Sequence, residues 1–367
     1  MQEERSGWCM FTPLEPHIPL PRISCTTGRE RELATIGRKP TNRIALDAIC
    51  VENVPQIAKF LALSETQVLD RLGLDGRIIA AGYTGQRDEG ALARGVDEWG
   101  TSALNDYGRN YAYPLAGFET EAQIAGYSWP NPADYDFEAA ATWARQYGTT
   151  YALRGPYWVP VFSRACSLVG MEDFLVLMMQ EPLLAEALLE RISEFTYQYC
   201  ERLLDACGEA LPILCLGDDF ATQRGLMLNP EIWRKLLKPH YARLFDLGKR
   251  KGRVVWFHSC GDVTSVLGDL IDIGADAWET VQLHALPYGP AELKRRFGAD
   301  ITFFGGINTQ RLPFITPAEV REEVFMTLEV MAEGGGYICG PDHQIKYDVP
   351  PENAVALFDA ALEWSSA

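Results

Sequence analysis

The sequence lacks the features of a membrane-spanning or exported chain. No stretch of about 18 consecutive apolar residues occurs, so we expect no helix that crosses a membrane. The segment that begins Met-Gln-Glu-Glu-Arg has no basic stretch followed by an apolar one, so we expect no secretory signal. Both absences favour a cytoplasmic protein without a membrane partner.

Positive charge is scarce, because 33 Lys and Arg face 50 Asp and Glu, which gives a net charge of −17. Binding to nucleic acid or to an anionic membrane surface depends on a basic excess, so neither is an expected partner. The 9 cysteines are too few for a disulfide scaffold, and an odd number leaves at least one thiol unpaired. In a reducing cytoplasm, free thiols are available as metal ligands.

What the sequence does contain is typical of a folded enzyme, with 47% hydrophobic and 23% charged residues. The 367 residues suit one large α/β barrel or two ordinary domains. We predict a single domain over residues 1–367, with a proline-rich N-terminal arm at 1–25. The irregular, aromatic-rich segment 84–150 is predicted to be an insertion over the rim of the barrel.

Short apolar runs alternate with helical segments along the chain and predict eight buried strands. These runs lie at 44–50, 76–83, 151–154, 212–216, 253–258, 276–281, 301–305 and 336–340. Helix starts are marked by Thr26 and Thr27, by Asn229 before a proline, and by a capping box at Thr316, while Pro239 should kink its helix. The alternation predicts a parallel sheet, and eight strands favour a (β/α)8 TIM barrel of the α/β class. A doubly wound open sheet gives the same local pattern, but no dinucleotide-type glycine-rich turn follows the first strand.

The active site of an α/β barrel lies at the carboxyl ends of its strands, so polar residues that follow an apolar run are informative. His258 and Cys260 are two residues apart at such a place, and their side chains therefore point the same way. Imidazole and thiolate are usual zinc ligands, so we predict that both bind a metal. The alternative is a structural pair, with a buried histidine beside a small apolar cysteine.

The last predicted strand offers candidates for a third ligand, and three protein ligands suffice for a catalytic zinc. His343 lies past the strand in a polar loop and is the preferred candidate. Cys339 is an alternative ligand, although a cysteine within a strand is more often a core residue. Glu279, which ends another strand, is a further alternative.

Two carboxylates, Asp218 and Asp219, follow the run 212–216 and are predicted to be catalytic, as substrate-binding groups or as a general base. In the alternative interpretation one of them caps a helix and the other is solvated. Asn308, Tyr157 and Trp158 are predicted to bind substrate, although core packing is an alternative role for either aromatic residue.

Four stretches of residues 210–365 carry a resemblance to a known family: GDDFATQRG (217–225), WFHSCG (256–261), FFGGINTQ (303–310) and GGGYICGPDHQI (334–345). They resemble the uroporphyrinogen decarboxylase-like superfamily, which includes zinc-dependent methyltransferases that work with corrinoid proteins. The N-terminal part is similar more loosely, in DEWGTS (97–102) and in residues 114–137.

The resemblance implies a zinc-dependent methyltransferase. It would move a methyl group between a small O-methylated substrate, such as an aromatic ether, and the cobalamin-type corrinoid of a partner protein, as in O-demethylation. His258 and Cys260 match the family's His-x-Cys zinc ligands. His343 matches the third ligand position through the Gly-Pro-x-ligand pattern, whereas Cys339 fits only in a shifted register.

Two other functions remain open on the same fold. One is a uroporphyrinogen decarboxylase-like carboxy-lyase that uses Asp218, Asp219 and His343, although the Arg-x-x-Gly-Arg motif of that branch is missing. The other is a non-catalytic barrel that binds a corrinoid or another tetrapyrrole. Fold resemblance alone does not separate these functions. Formation of a homo-oligomer is also left open.

Overall fold

A computed structural model describes residues 27–85, 96–101 and 113–365 of the chain. It contains an eight-stranded sheet whose strands we number in chain order. They are β1 (Ala45–Leu46), β2 (Gly76–Ile78), β3 (Ala152–Pro156), β4 (Ile213–Gly217), β5 (Val254–His258), β6 (Ala277–Val281), β7 (Thr302–Ile307) and β8 (Tyr337–Pro341). Their order in the sheet is β1-β8-β7-β6-β5-β4-β3-β2.

This order is that of a (β/α)8 barrel, in which parallel strands follow one another around the sheet and the last returns beside the first. β8 pairs in parallel with both β1 and β7. Next to the edge strand β2, the backbone N–H of Asp75 donates to the carbonyl of Leu46 in β1 at 2.8 Å. The predicted fold class is therefore confirmed.

Helices surround the sheet, and three short 3-10 turns and two small two-stranded antiparallel sheets complete the described elements. The helices are Gly28–Ile36, Val54–Leu61, Glu65–Arg71, Glu121–Ala125, Phe137–Tyr147, Phe162–Val169, Met171–Gln180, Pro182–Cys207, Pro230–Leu236, Lys238–Arg250, Leu267–Asp272, Pro290–Phe297, Pro317–Met331 and Pro351–Trp364. The turns are Pro132–Asp134, Gly208–Ala210 and Leu283–Ala285. The small antiparallel sheets pair Gly82–Tyr83 with Tyr135–Asp136, and Ala221–Thr222 with Gly225–Leu226.

The sequence signals for helix starts are confirmed. Thr27 and Thr316 each accept a hydrogen bond from the third residue of their helix in a capping box. The Asn229 side chain accepts from the backbone N–H of Glu231. At Pro239 the predicted kink is a full interruption, because one helix ends at Leu236 and the next begins at Lys238.

The chain divides into two compact units. One consists of Met1–Arg77, Thr280–His284 and Tyr288–Ala367. It contains β1, β7 and β8, and a buried ion cluster in which Asp75 accepts hydrogen bonds from Arg31 and, at 2.8 Å, from Arg43. Such a buried carboxylate is tolerated because it is paired with two guanidinium groups.

The other unit consists of Ile78–Glu279 and Ala285–Pro287. It contains β3, β4 and β5, which pair in parallel and in register. Its core includes an aromatic group around Phe257, with Phe220 at 6.1 Å and Tyr241 at 5.3 Å between ring centroids. These rings pack behind the strand that carries His258 and so fix its position.

The described residues bear on only part of the predicted domain organisation. The N-terminal arm 1–25 lies outside the described residues, and the single domain and its rim insertion stay predictions. Within 84–150, the expectation of irregular structure is wrong for Phe137–Tyr147, a helix that buries Ala140, Ala141 and Ala144. A face made of alanine alone carries little hydrophobic signal. In the described part of the chain, no helix has both the length and the apolarity needed to cross a membrane.

Candidate metal centre and active site

The site is built on the carboxyl end of β5. Pairing with the neighbouring strands places His258 level with Gly217 of β4 and with Glu279 of β6. Trp256 lies two residues earlier and shares the same face of the strand. His258 is buried, with 2% of its surface exposed.

Three potential ligands meet at this strand end. The donor atoms of Asp219, His258 and Cys260 all lie within 4.8 Å of one another. His258 Nε2 is 3.6 Å from Cys260 Sγ and 3.7 Å from Asp219 Oδ1. Over residues 27–85, 96–101 and 113–365, these three are the group of His, Cys and acidic side chains close enough to hold one metal ion.

Backbone contacts hold the two strand ends together. The backbone N–H of Asp218 donates to the carbonyl of His258 at 3.0 Å. The backbone N–H of Cys260 donates to Asp219 Oδ1 at 2.8 Å. After Cys260 the chain turns sharply at Gly261, where φ is +80° and an added Cβ would lie 2.5 Å from the carbonyl oxygen of Thr222. Only glycine fits this turn.

A buried carboxylate lies behind the histidine. Glu279 is fully buried, and its Oε1 is 3.4 Å from His258 Nδ1. Its Oε2 accepts a hydrogen bond from the Trp256 indole and lies 4.0 Å from Arg154 Nε. Burial opposes the charged form of Glu279, but the hydrogen bond with His258 and the charge of Arg154 outweigh it, so its pKa lies below the usual range.

The electrostatic surroundings favour positive charge at this point. Burial alone lowers the pKa of His258, but the neighbouring Cys260, with Glu279 and Asp219, reverses the direction and holds it well above the usual value. Burial raises the pKa of the Cys260 thiol, and His258 opposes that rise. A group of acids around one imidazole is an environment in which a bound cation is stabilised.

The residues present fit a zinc ion. Imidazole nitrogen, thiolate sulfur and carboxylate oxygen are its usual ligands, and three of them leave an open position. His258 directs Nδ1 to the Glu279 carboxylate and Nε2 towards Cys260 and Asp219. A histidine ligand commonly bonds a carboxylate through its other ring nitrogen in this way. The metal assignment of His258 and Cys260 stays a prediction that this geometry supports.

The two candidates from the last strand do not belong to the three-residue group. Cys339 is fully buried within β8, and burial raises the pKa of its thiol to about 12. It is a core residue of the strand, and its role as an alternative ligand stays a prediction. His343 lies in the loop after β8, next to Asp342, whose Oδ1 accepts hydrogen bonds from the backbone and hydroxyl of Thr309. Its role as third ligand stays a prediction.

The two adjacent aspartates have different surroundings. Asp218 is buried and caps the helix Phe162–Val169, because its carboxylate accepts from the backbone N–H groups of Val161, Phe162 and Ser163 at 2.6–2.8 Å. The Tyr241 hydroxyl donates to it at 2.8 Å. Burial raises the pKa of Asp218, and these hydrogen bonds oppose the rise. Asp219 instead joins the candidate metal group with 32% of its side chain exposed.

Two of the predicted substrate-binding residues lie beside the histidine. The rings of Tyr157 and Trp158 contact the His258 ring edge-on, at centroid distances of 5.4 and 5.6 Å. Trp158 lies against Gly217, where an added Cβ would be 2.7 Å from the indole. Asn308, the third, belongs to the other compact unit, and its side chain accepts from the backbone N–H of Gln310 at 2.9 Å.

Sequence reasoning missed the residues that support Glu279 from inside the sheet. Arg154 is fully buried, and its guanidinium lies 5.3 Å from the ring centre of Trp256. A signal was present, because an arginine within the apolar strand Ala152–Pro156 needs a buried acidic partner. The indole of Trp256 also needs an acceptor when it is buried.

A (β/α)8 barrel with a histidine, a cysteine and a carboxylate at adjacent strand ends defines a class of barrel proteins with a candidate metal centre. Comparison with known families identifies the family to which the chain belongs. The chain belongs to the uroporphyrinogen decarboxylase (URO-D) family, whose model matches residues 119–364. Members of this family are decarboxylases or methyltransferases.

Curated relatives of both kinds are similar to this chain. A uroporphyrinogen decarboxylase of Aliivibrio salmonicida is 26% identical over 199 residues, which cover 52% of this chain and 51% of the relative. The methylcobamide:CoM methyltransferase MtaA of Methanosarcina barkeri is 24% identical over 200 residues, covering 54% and 55%. The chain thus spans about half the length of the curated relatives it matches.

A solved structure agrees with the fold over nearly the whole chain. A methyltransferase from Methanosarcina mazei superposes with a TM-score of 0.68 at 17% identity, covering 92% of this chain and 98% of that one. At this identity the likeness supports the barrel fold alone.

Proposed function

We propose that the protein is a zinc-dependent methyltransferase that moves a methyl group between a small O-methylated substrate and the corrinoid of a partner protein. The observation that carries the proposal is the group of three donor atoms within 4.8 Å at the ends of β4 and β5. A curated relative named as a methylcobamide:CoM methyltransferase supports the methyl-transfer chemistry.

The proposed ligands are His258 Nε2, Cys260 Sγ and Asp219 Oδ1. His343 competes with Asp219 for the third position, as its place after the last strand predicts. When bound, zinc supplies a Lewis acid that polarises an oxygen or lowers the pKa of a thiol. Nitrogen, sulfur and oxygen donors of these kinds all bind zinc, while a site with a single thiolate also accepts cobalt or iron.

The protein's own side chains then orient and shield the reacting group. Glu279 holds the His258 ring through Nδ1, which keeps Nε2 directed towards Cys260 and Asp219. Tyr157 and Trp158 form apolar walls against the same ring and exclude water from it. If His343 is the third ligand, the partly exposed Asp219 is instead proposed to receive or return a proton on the substrate side.

The substrate proposal rests on these aromatic walls. Two rings edge-on to His258 suit a flat, apolar group such as an aryl methyl ether. Burial raises the pKa of the Tyr157 hydroxyl well above its usual value, so it stays protonated, and its oxygen lies 3.3 Å from His258 Nδ1. Asn308 is kept as a proposed substrate contact.

Metal analysis of protein purified without added metal tests the proposal. We expect about one zinc per chain in the native protein, none in Cys260→Ala, and an unchanged content in Cys339→Ala, a matched cysteine of the core. Transfer of the methyl group from free methylcobalamin to a thiol is measured by the change in the absorbance of the corrinoid. This activity should disappear together with the metal. Full zinc content in Cys260→Ala would overturn the proposal.

The third ligand is decided by a parallel pair of variants. If Asp219 is the ligand, Asp219→Ala loses zinc and His343→Ala retains it. The reverse pattern assigns the position to His343.

A decarboxylase function is the second candidate, because curated relatives named uroporphyrinogen decarboxylase match the chain equally well. It would use Asp218, Asp219 and His343 for binding and proton transfer, without metal. Loss of carboxylate groups from uroporphyrinogen by metal-free protein would favour it. Corrinoid binding without any turnover would instead favour the non-catalytic barrel.

A further inference from the structure

A cleft of about 420 Å³ lies in the compact unit that contains β7 and β8. Arg38, Lys294 and Arg295 line it together with Glu333 and the backbone of Gly298 and Gly334. These segments lie just before β7 and β8, at the amino ends of the strands, whereas barrel enzymes hold their catalytic groups at the carboxyl ends. The cleft is therefore distinct from the proposed active site.

One guanidinium nitrogen of Arg38 makes no hydrogen bond within the described part of the chain. Its Nε donates to the carbonyl of Gly298 at 3.1 Å, and its Nη1 is 3.5 Å from the carbonyl of Ile36. Its Nη2 is buried and has no hydrogen-bond partner among the residues that the structure describes. Buried polar groups are nearly always hydrogen-bonded, so this nitrogen calls for an acceptor.

Lys294 brings a second positive charge into the cleft. Its Nζ donates to the carbonyl of Gly335 at 2.6 Å, which leaves further N–H groups on the ammonium. Burial lowers the pKa of Lys294, and the charge of Arg38 lowers it further, against the opposing effect of Glu333. The two cations therefore repel each other, and an added anion would relieve this repulsion.

The local backbone is shaped to admit the arginine. Gly335 and Gly336 have φ values of +75° and +64°, which favour glycine. An added Cβ on Gly336 would lie 3.4 Å from Arg38 Nε. The side chain of Arg38 thus runs directly along this glycine backbone.

We propose that this cleft binds a phosphate group, either free or at the end of an organic phosphate ester. Arginine and lysine donate charge-assisted hydrogen bonds to phosphate oxygens. The positive charge is local, in a chain whose net charge is −17, so it selects a small anion rather than a nucleic acid. The volume falls in the range of small-molecule sites, about 300–1,000 Å³.

Equilibrium dialysis with inorganic phosphate tests this site directly, at constant ionic strength maintained with sodium chloride. We expect saturable binding to the native protein, and weakening by at least about tenfold in Arg38→Gln and in Lys294→Gln, the effect of losing one charge-assisted hydrogen bond. Arg145→Gln is the matched control, because Arg145 pairs with Glu138 on the surface of the other unit. It should bind phosphate as the native protein does.

Two further arms separate the alternatives. Competition of glycerol 2-phosphate with inorganic phosphate would show that the cleft accepts a phosphate ester. Failure to compete would restrict the site to the free ion. Cys260→Ala should bind phosphate as the native protein does, because phosphate binding at the cleft does not depend on the proposed metal centre. Absence of saturable binding, or equal binding by Lys294→Gln and Arg145→Gln, would overturn the proposal. Should Arg38→Gln fail to fold, Lys294→Gln decides alone.

Discussion

His258 and Glu279 stand level on the neighbouring strands β5 and β6, with Nδ1 of the imidazole 3.4 Å from Oε1 of the carboxylate. This contact fixes which ring nitrogen is available to a metal. The Trp256 indole and Arg154 hold the other carboxylate oxygen from inside the sheet. The orientation of His258 is therefore set by buried residues that do not themselves reach the candidate metal group.

Replacing Glu279 by glutamine should weaken zinc binding without removing any ligand. Loss of a carboxylate partner of a histidine ligand typically lowers metal affinity about 10–100-fold. Competition with a chromogenic chelator measures this affinity. Glu292→Gln, at a carboxylate that pairs with Arg295 and Arg296 on the helix Pro290–Phe297, is the control and should leave zinc affinity unchanged. An unchanged zinc affinity in Glu279→Gln would show that the contact does not orient the ligand.

The neighbouring aspartates should respond in opposite ways. Asp218→Asn impairs a buried helix cap and should lower the free energy of unfolding by on the order of 2 kcal/mol, as measured in urea. Asp219→Ala should change stability by less than about 1 kcal/mol but lose most turnover, since it is half-exposed beside Cys260. A variant of Asp219 that melts early yet keeps its specific activity would assign it a structural role.

Gly261→Ala should be strongly destabilising. Alanine at φ +80° is strained, and its Cβ would meet the Thr222 carbonyl oxygen at 2.5 Å, so we expect a loss of about 1–3 kcal/mol. Gly268→Ala, within the helix Leu267–Asp272, has no atom within 4 Å of the added carbon and should be neutral or stabilising. Thermal unfolding gives the melting temperatures of the two variants. Equal melting temperatures would contradict the assigned role of Gly261.

His240 should make the protein sensitive to mild acid. Burial lowers its pKa below the usual value, against the opposing charges of Glu190 and Glu186. The unfolded chain therefore takes up this proton first, and stability that is complete above about pH 6.5 declines as the pH falls towards the folded-state pKa. Urea unfolding at several pH values should show this slope in the native protein and a smaller one in His240→Asn. An identical slope in both would exclude His240 as its source.

Much of the architecture was predictable, because strand–helix alternation and the residues that mark helix starts depend only on neighbours in the sequence. The alternation gave all eight strand positions, and the two-residue spacing gave the shared direction of His258 and Cys260. The sequence suggested, as an alternative, that one of Asp218 and Asp219 caps a helix, but it could not tell which one. Their separate roles depend on the helix at Phe162, more than 50 residues away, whose N-terminus reaches one carboxylate and leaves the other beside Cys260.

The three donors of the candidate metal centre come from only two adjacent strands, and at most 41 residues separate them along the chain. Pairing of β4 with β5 is enough to bring Asp219, His258 and Cys260 together, and both strands precede β7 and β8 in the chain. The centre is therefore a short-range feature of the topology. With Asp219 rather than His343 as the third ligand, all three side chains would leave the ribosome before the last two strands, and metal capture would be able to precede closure of the sheet and to anchor it early.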